Sequence, residues 1–449
     1  MRKRGHAVIS ALLAAITALG GCVSISGGVP GEPGETLPAV NLSEQSGVTL
    51  IVPGQETTEA ATSEAPADTA GNDTVTETAP PPVTEGTAAP VTVPYRERLE
   101  RICDERGVYG LSAAVFRDGE IIHTENIGFM VKETETPVTD DTRFRCASVS
   151  KLVSTIVLMQ LCDEGFLDTQ TDLTAATGIK YQGYGSGTVR LWHLLTHTAG
   201  ITDTYTYDQL APIYKTSIND ILAGAHTGNA AGSVYNYCNF GAGSIGAIVE
   251  RITGTFFHDY ADMSLFEPLG MDAGYLIDLI DDKQSCAYIY DYDGEIFRVP
   301  EWGRDRRYYE SFGLGNSYLT AQCELLITAS DLARLGTALA GDGTVKECSG
   351  IRILSEKSVE AMHKVWFEKD DDFDMGLNVR IYDGTLVKGR TICGHPGNAL
   401  GAICGIYYDR SDHTGVAILT NRCDQAVSDN GVYTLLNDIV NETYSEFFG

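Results

Sequence analysis

Apolar and polar positions are patterned in one part of the chain and not in another. From about residue 107 onward the pattern has structural periods. Leu111-Ser112-Ala113-Ala114-Val115-Phe116 and Glu120-Ile121-Ile122-His123 flank Arg117-Asp118-Gly119, and an Asp-Gly pair between two β-rich runs predicts a hairpin. Leu152, Ile156, Val157, Met159 and Leu161 then recur with a helical period, which places Ser148 at the start of a helix. Glycine-rich turns and further helical patterns fill the middle of the chain. Strand-like runs return at 402–408 and 415–420. Strands at both ends with helices between them predict an α/β fold in which one sheet is built from both termini and carries an inserted, mainly helical lobe. No internal repeat is present.

The first 94 residues follow other rules. Arg2, Lys3 and Arg4 precede an uncharged, mostly apolar run of 13 residues from Ala7 to Leu19. That length suits the core of an export signal and is short for a bilayer-spanning helix. Leu19-Gly20-Gly21-Cys22 closes the run and resembles the bacterial lipobox, whose cysteine is lipidated and becomes the mature N-terminus. Residues 1–22 are therefore expected to be a lipoprotein-type signal peptide, with Cys22 anchoring the chain to the extracytoplasmic face of the cell membrane. Residues 23–94 hold ten of the fifteen prolines, show no apolar period, and are expected to form a disordered tether. As a coil its 72 residues would span on the order of 45 Å. Residues 95–449 are the expected folded domain.

Composition sharpens this division. Hydrophobic residues make up 43% of the 449, enough for a sizeable core. The formal charge of −29 divides into +3 over 1–22, −10 over 23–94 and −22 over 95–449. An acidic domain is repelled by phosphate backbones, so nucleic acid is excluded as a partner held by bulk charge. Ten cysteines follow Cys22, from Cys103 to Cys423, with no Cys-x-x-Cys among them. Export permits disulfides, free thiols are equally compatible, and spacing fixes no connectivity.

Ser148 and Lys151 carry the chemistry. Three apart on a helix, their side chains share a face. A serine hydroxyl is a weak nucleophile until a neighbouring base takes its proton, and a buried lysine amine can do so. This Ser-x-x-Lys spacing occurs once in the chain. Tyr237-Cys238-Asn239 opens a small-residue helix and offers a phenol to relay protons and an amide to hold a carbonyl.

With these motifs the sequence resembles the serine β-lactamase and penicillin-binding protein superfamily, in the branch of class C β-lactamases, DD-peptidases and related esterases. Leu194-Leu195-Thr196-His197-Thr198-Ala199-Gly200, Glu267-Pro268-Leu269-Gly270-Met271 and Ser330-Asp331-Leu332-Ala333 agree in register. The resemblance implies a β-lactamase/transpeptidase-like fold and acyl transfer through Ser148, with Lys151 and Tyr237 moving protons. It also implies substrate contacts from Asn239, His395, Gly397 and Asn398, and an oxyanion hole from the backbone N–H groups of Ser148 and Asn398. No cofactor is implied. Amide or ester substrates are, including D-Ala-type peptides, β-lactams, small esters and peptidoglycan fragments. A ligand sensor with little turnover is the alternative.

The family's Lys-Thr-Gly phrase is absent, and His-x-Gly occurs three times, beginning at His226, His395 and His413. His226 precedes the tyrosine motif and His413 lies in a polar turn. His395-Pro396-Gly397 leads into Asn398-Ala399-Leu400-Gly401 and is the choice. A histidine titrating near pH 6.5 there is expected to bind an anionic substrate when protonated. His193 and His197 have metal-ligand spacing, but the chain has no His-Glu-x-x-His, and no metal site is expected. Arg304, Arg306 and Arg307 are expected in a solvated loop paired with Glu301 and Asp305, with the substrate cleft as the alternative. Gly-x-Ser-x-Gly is absent, which excludes an α/β-hydrolase elbow.

Overall fold

A computed structural model describes residues 93–181, 187–204, 217–299, 305–369 and 372–449. Cys22, the expected signal and nearly all of the expected tether lie outside the described residues, as do Glu301 and Arg304. No helix among the described residues is long and apolar enough to cross a membrane.

The alternating runs at the two ends of the domain meet in one antiparallel sheet. Its strands are β1 (Gly110–Arg117), β2 (Glu120–Val131), β3 (Thr136–Pro137), β4 (Asp374–Met375), β5 (Arg380–Asp383), β6 (Thr391–Ala399), β7 (Ala402–Asp409) and β8 (Thr414–Thr420). They lie in the order β4-β5-β6-β7-β8-β1-β2-β3. The termini join at the β1–β8 ladder, from Leu111 opposite Thr420 to Arg117 opposite Thr414. Asp118, at φ +54°, and Gly119 turn the β1–β2 hairpin as its sequence predicts.

Alternation along the strands separates two cores. Leu111, Ala113, Val115, Ile403, Val416 and Ile418 face one side. They are covered there by α1 (Tyr95–Arg106) and α6 (Thr434–Phe447), which pack on each other. Ala114, Phe116, Ile406, Ala417 and Leu419 face the other side. That side carries α2 (Val149–Asp163), α5 (Ala329–Ala340) and the inserted lobe. From Val149 to Leu161, α2 buries every residue except Gln160, as a helix apolar on all faces must. At roughly 1.5–3 kcal/mol per fully buried Leu, Ile, Val or Met, this central helix is anchored firmly enough to hold a reactive group at its end.

The small-residue helix expected after Tyr237 is divided into α3 (Asn239–Gly243) and α4 (Ile245–Thr253), with Ser244 between them. The ten cysteines from Cys103 to Cys423 are free thiols, most of them buried.

Candidate active site

The nucleophile's position is set by local backbone geometry. Phe144–Arg145 pairs with Leu326–Ile327, and Cys146 N–H donates to the Leu325 carbonyl at 2.9 Å. Ala147 then adopts φ +49°, a left-handed conformation that costs a non-glycine residue about 1 kcal/mol or more. This turn swings the chain into α2 and leaves Ser148 at its N-cap. The Ser148 side chain makes no capping bond, so the hydroxyl is available for other partners.

Those partners are Lys151 and Tyr237. Lys151 Nζ donates to Ser148 Oγ at 2.9 Å, and the Tyr237 hydroxyl donates to the same Oγ at 2.9 Å. Lys151 is fully buried and satisfies its other donors on Asn239 Oδ1 at 2.9 Å and the Gln322 carbonyl at 3.1 Å. The lysine and tyrosine of the two motifs thus converge on one oxygen, with the asparagine bound to the lysine behind it, although Tyr237 lies 86 residues after Lys151.

Tyr237 is held from behind by His197. The two rings lie 4.4 Å apart, Cys238 N–H donates to His197 Nδ1 at 3.2 Å, and Asn236 N–H donates to the His197 carbonyl. Burial pushes the His197 pKa down to about 3, and the charges of Lys151 and Arg380 add to the shift. His193 Nδ1 accepts from Arg190 N–H, so both histidines of the metal-like spacing serve the backbone. His258, Asp259 and Glu310 form a trio of ligand types among the described residues. Arg306 Nη1 already fills it, 2.7 Å from Asp259, 3.1 Å from Glu310 and 3.3 Å from His258. Arg306 is therefore tied to the lobe through Asp259 and Glu310, while Arg307 reaches Asp305 at 3.0 Å in a solvated position.

Strand β6 forms the opposite wall. A Cβ built on Gly397 would lie 2.6 Å from the Cys146 carbonyl oxygen and 3.1 Å from Ser148 N, so only glycine permits this approach. Ladder alternation places the Asn398 N–H. Leu400 and Gly401 link Ala399 to its partner Ala402, and a two-residue loop closes on a hydrogen-bonded pair. Asn398, opposite Ile403, is then a non-bonded pair whose N–H points to the outer edge of β6. That edge is free because the β5 ladder ends at Arg380 opposite Gly394. Pro396 stands at an equivalent outward position and costs no ladder bond. The Asn398 side chain turns away to Gln425 and the Tyr433 hydroxyl, so its backbone is the part that can meet substrate.

His395 is reached by the fold in another state than expected. It is 1% exposed, and its Nδ1 lies 2.6 Å from the Pro396 carbonyl oxygen. Burial drives its pKa well below 6.5, reinforced by the Arg380 and Lys151 charges. The expectation of a protonated His395 binding an anion is corrected: a histidine with a depressed pKa carries charge only far below neutrality. The KM of a carboxylate substrate should accordingly change less than about twofold from pH 6 to pH 8 through this group. A tenfold rise over that range in wild type, absent from His395→Gln, would contradict the neutral assignment.

Three contributors are missing from the sequence motifs. Asp203 accepts from Asn239 N–H, Asn239 Nδ2 and Phe240 N–H at 3.1, 3.0 and 2.8 Å. Gln322 acts through its carbonyl. Arg380 begins β5 where the edge of β6 becomes free, with its guanidinium 4.4 Å from the centre of the Phe373 ring and beside Tyr235, Tyr237 and Tyr382.

A serine whose hydroxyl is bonded to a buried amine and a phenol, with the outward Asn398 N–H on the strand beside it, defines an acyl-transferring serine hydrolase. The chain belongs to the beta-lactamase family, whose family model matches residues 95–440. It is 28% identical over 278 residues to penicillin-binding protein 4 of Amycolatopsis lactamdurans, covering 60% of this chain and 69% of that protein. It is 30% identical over 201 residues to esterase EstB of Burkholderia gladioli, covering 40% and 51%. The fold matches a class C beta-lactamase with a TM-score of 0.62 at 17% identity, over 79% of this chain and 97% of that one. The protein is a beta-lactamase-family serine hydrolase of the penicillin-binding-protein and esterase type.

Proposed function

We propose that the protein is an extracytoplasmic hydrolase, held to the membrane through lipidated Cys22, that cleaves amide or ester bonds in small substrates carrying a carboxylate. D-Ala-type peptides, β-lactams and short carboxylate-bearing esters belong to this class. Ser148 attacks the carbonyl and Lys151, acting as the free amine, takes its proton. The N–H groups of Ser148 and Asn398 receive the developing oxyanion. Tyr237, with Lys151, returns the proton to the leaving group, and the same groups activate water against the acyl-serine. Asn239 retains an N–H for the substrate carbonyl after serving Asp203 and Lys151.

Arg380 carries the substrate assignment. It is a permanent cation at the open end of β6, facing phenols and a phenyl ring, and among the described residues no carboxylate lies within ion-pair distance of it. A partly buried charge without a counter-ion is poorly compensated, and a substrate carboxylate supplies the missing partner. In this reading Arg380 takes the role of substrate-facing cation that the sequence suggested for His395.

Steady-state hydrolysis of a matched pair, a D-Ala-terminated ester with a free carboxylate and its methyl ester, tests this in wild type and Arg380→Ala. A charge-assisted contact of about 1.5–3 kcal/mol corresponds to a roughly 10- to 150-fold rise in KM for the carboxylate substrate. The neutral substrate should be affected less than about threefold. Equal effects on both substrates would overturn the assignment.

A further inference from the structure

We propose that Asp203 is a positioning residue for acyl transfer. Its carboxylate locks the Asn239 amide with Oδ1 toward Lys151 and thereby keeps the lysine on Ser148. The proposal rests on Ser148 being the nucleophile.

An asparagine amide is nearly symmetric in shape, so its orientation is decided by the senses of its partners. Lys151 directs an N–H at the amide, as ammonium or as the free amine that serves as base, and requires the oxygen. An ionised Asp203 is a pure acceptor and requires the nitrogen. Asn239 stands between them, 2.9 Å from Lys151 Nζ through Oδ1 and 3.0 Å from Asp203 Oδ2 through Nδ2. Each partner enforces the orientation that the other needs. If Asp203 were neutral and able to donate, the amide could turn and present its NH2 to the lysine, which would lose one of its three acceptors.

The same carboxylate also fixes the backbone that carries the site. It accepts from Asn239 N–H at 3.1 Å and Phe240 N–H at 2.8 Å, and the Cys238 thiol lies 3.4 Å from Oδ1. Cys238 N–H is bound in turn by His197. The tripeptide Tyr237-Cys238-Asn239 is therefore clamped between an imidazole and a carboxylate. Both come from the segment following α2, and only the carboxylate selects the amide's orientation.

The test measures kcat and KM with an activated ester, and the rate of covalent labelling by a fluorophosphonate. The proteins are wild type, Asp203→Asn, Asp203→Ser, Asn239→Ala and the double variant Asp203→Asn/Asn239→Ala, with Ser148→Ala as the blank. Asp203→Asn should lower kcat about 10- to 100-fold and the labelling rate in parallel, with KM within about threefold of wild type. Asp203→Ser, a shorter side chain without the carboxylate, cannot enforce the amide and should show the same loss of kcat. The double variant should be slower than Asn239→Ala by much less than the Asp203→Asn factor, because once the amide is gone Asp203 keeps only its hold on two backbone N–H groups. Wild-type kcat in either Asp203 variant, or multiplicative losses in the double variant, would overturn the proposal while the blank stayed inactive. Turnover by Ser148→Ala would instead overturn the serine reading, and the proposal with it.

Discussion

Ser148→Ala is expected to lower kcat by about 10⁴-fold or more, because a hydrolase that works through a covalent intermediate has no second route of comparable rate. The folded state should lose little. Ser148 Oγ accepts from Lys151 and Tyr237, and after truncation Lys151 keeps Asn239 Oδ1 and the Gln322 carbonyl. The serine side chain fills no core volume and caps no helix. A melting temperature within a few degrees of wild type, measured beside kcat, would show that the loss is chemical. A residual rate within about tenfold of wild type would mean that another group performs the attack.

Lys151→Met is the second large effect. Methionine matches the length of the lysine stem in a site that is fully buried, so packing is nearly conserved. The amine that activates Ser148 is lost, and kcat should fall about 10³- to 10⁴-fold. Stability is pulled both ways. Replacing a buried cation with an apolar chain is often neutral or stabilising. Asn239 Oδ1 and the Gln322 carbonyl lose their donor, at about 1–3 kcal/mol each if water does not replace it. A thermal melt and a pre-steady-state burst measured together separate these contributions. The expected pattern is an absent burst in a folded protein.

What the sequence could disclose depended on distance along the chain. Ser148 and Lys151 are one turn apart on one helix, so local geometry alone brings them together. The β1–β2 hairpin is legible for the same reason. Tyr237 and His395 stand far from Ser148, and only the ordered phrases of a family resemblance singled them out. The position of His395 followed from its context, but its charge state did not, because burial and the Arg380 and Lys151 cations decide it. Arg380 and Asp203 lie in no motif. Each acquires meaning from partners that folding supplies: the end of a ladder for one, an amide 36 residues away for the other. Gln322 contributes a main-chain carbonyl, which no residue type can signal. Arg306 illustrates the converse, since a charge run that reads as solvated loop is partly drawn in by Asp259 and Glu310.

The buried histidines give the domain a pH dependence whose sign is fixed. His197 and His363 are held down to about 3, below their unfolded value near 6.5. Their neutral folded forms contribute stability that is fully present above pH 6.5 and is lost as pH falls below it. Glu250 acts oppositely. Burial raises it to about 7, so it favours the folded state at low pH and loses that contribution as pH rises through 7.

The most direct test of the central claim is to follow the enzyme's intact mass by rapid quench during turnover of a carboxylate-bearing β-lactam or activated ester. The account predicts an adduct of the acyl group's mass, mapped to the peptide containing Ser148, that forms before steady state and decays as substrate is exhausted. Turnover with no adduct, or with one on another residue, would contradict it.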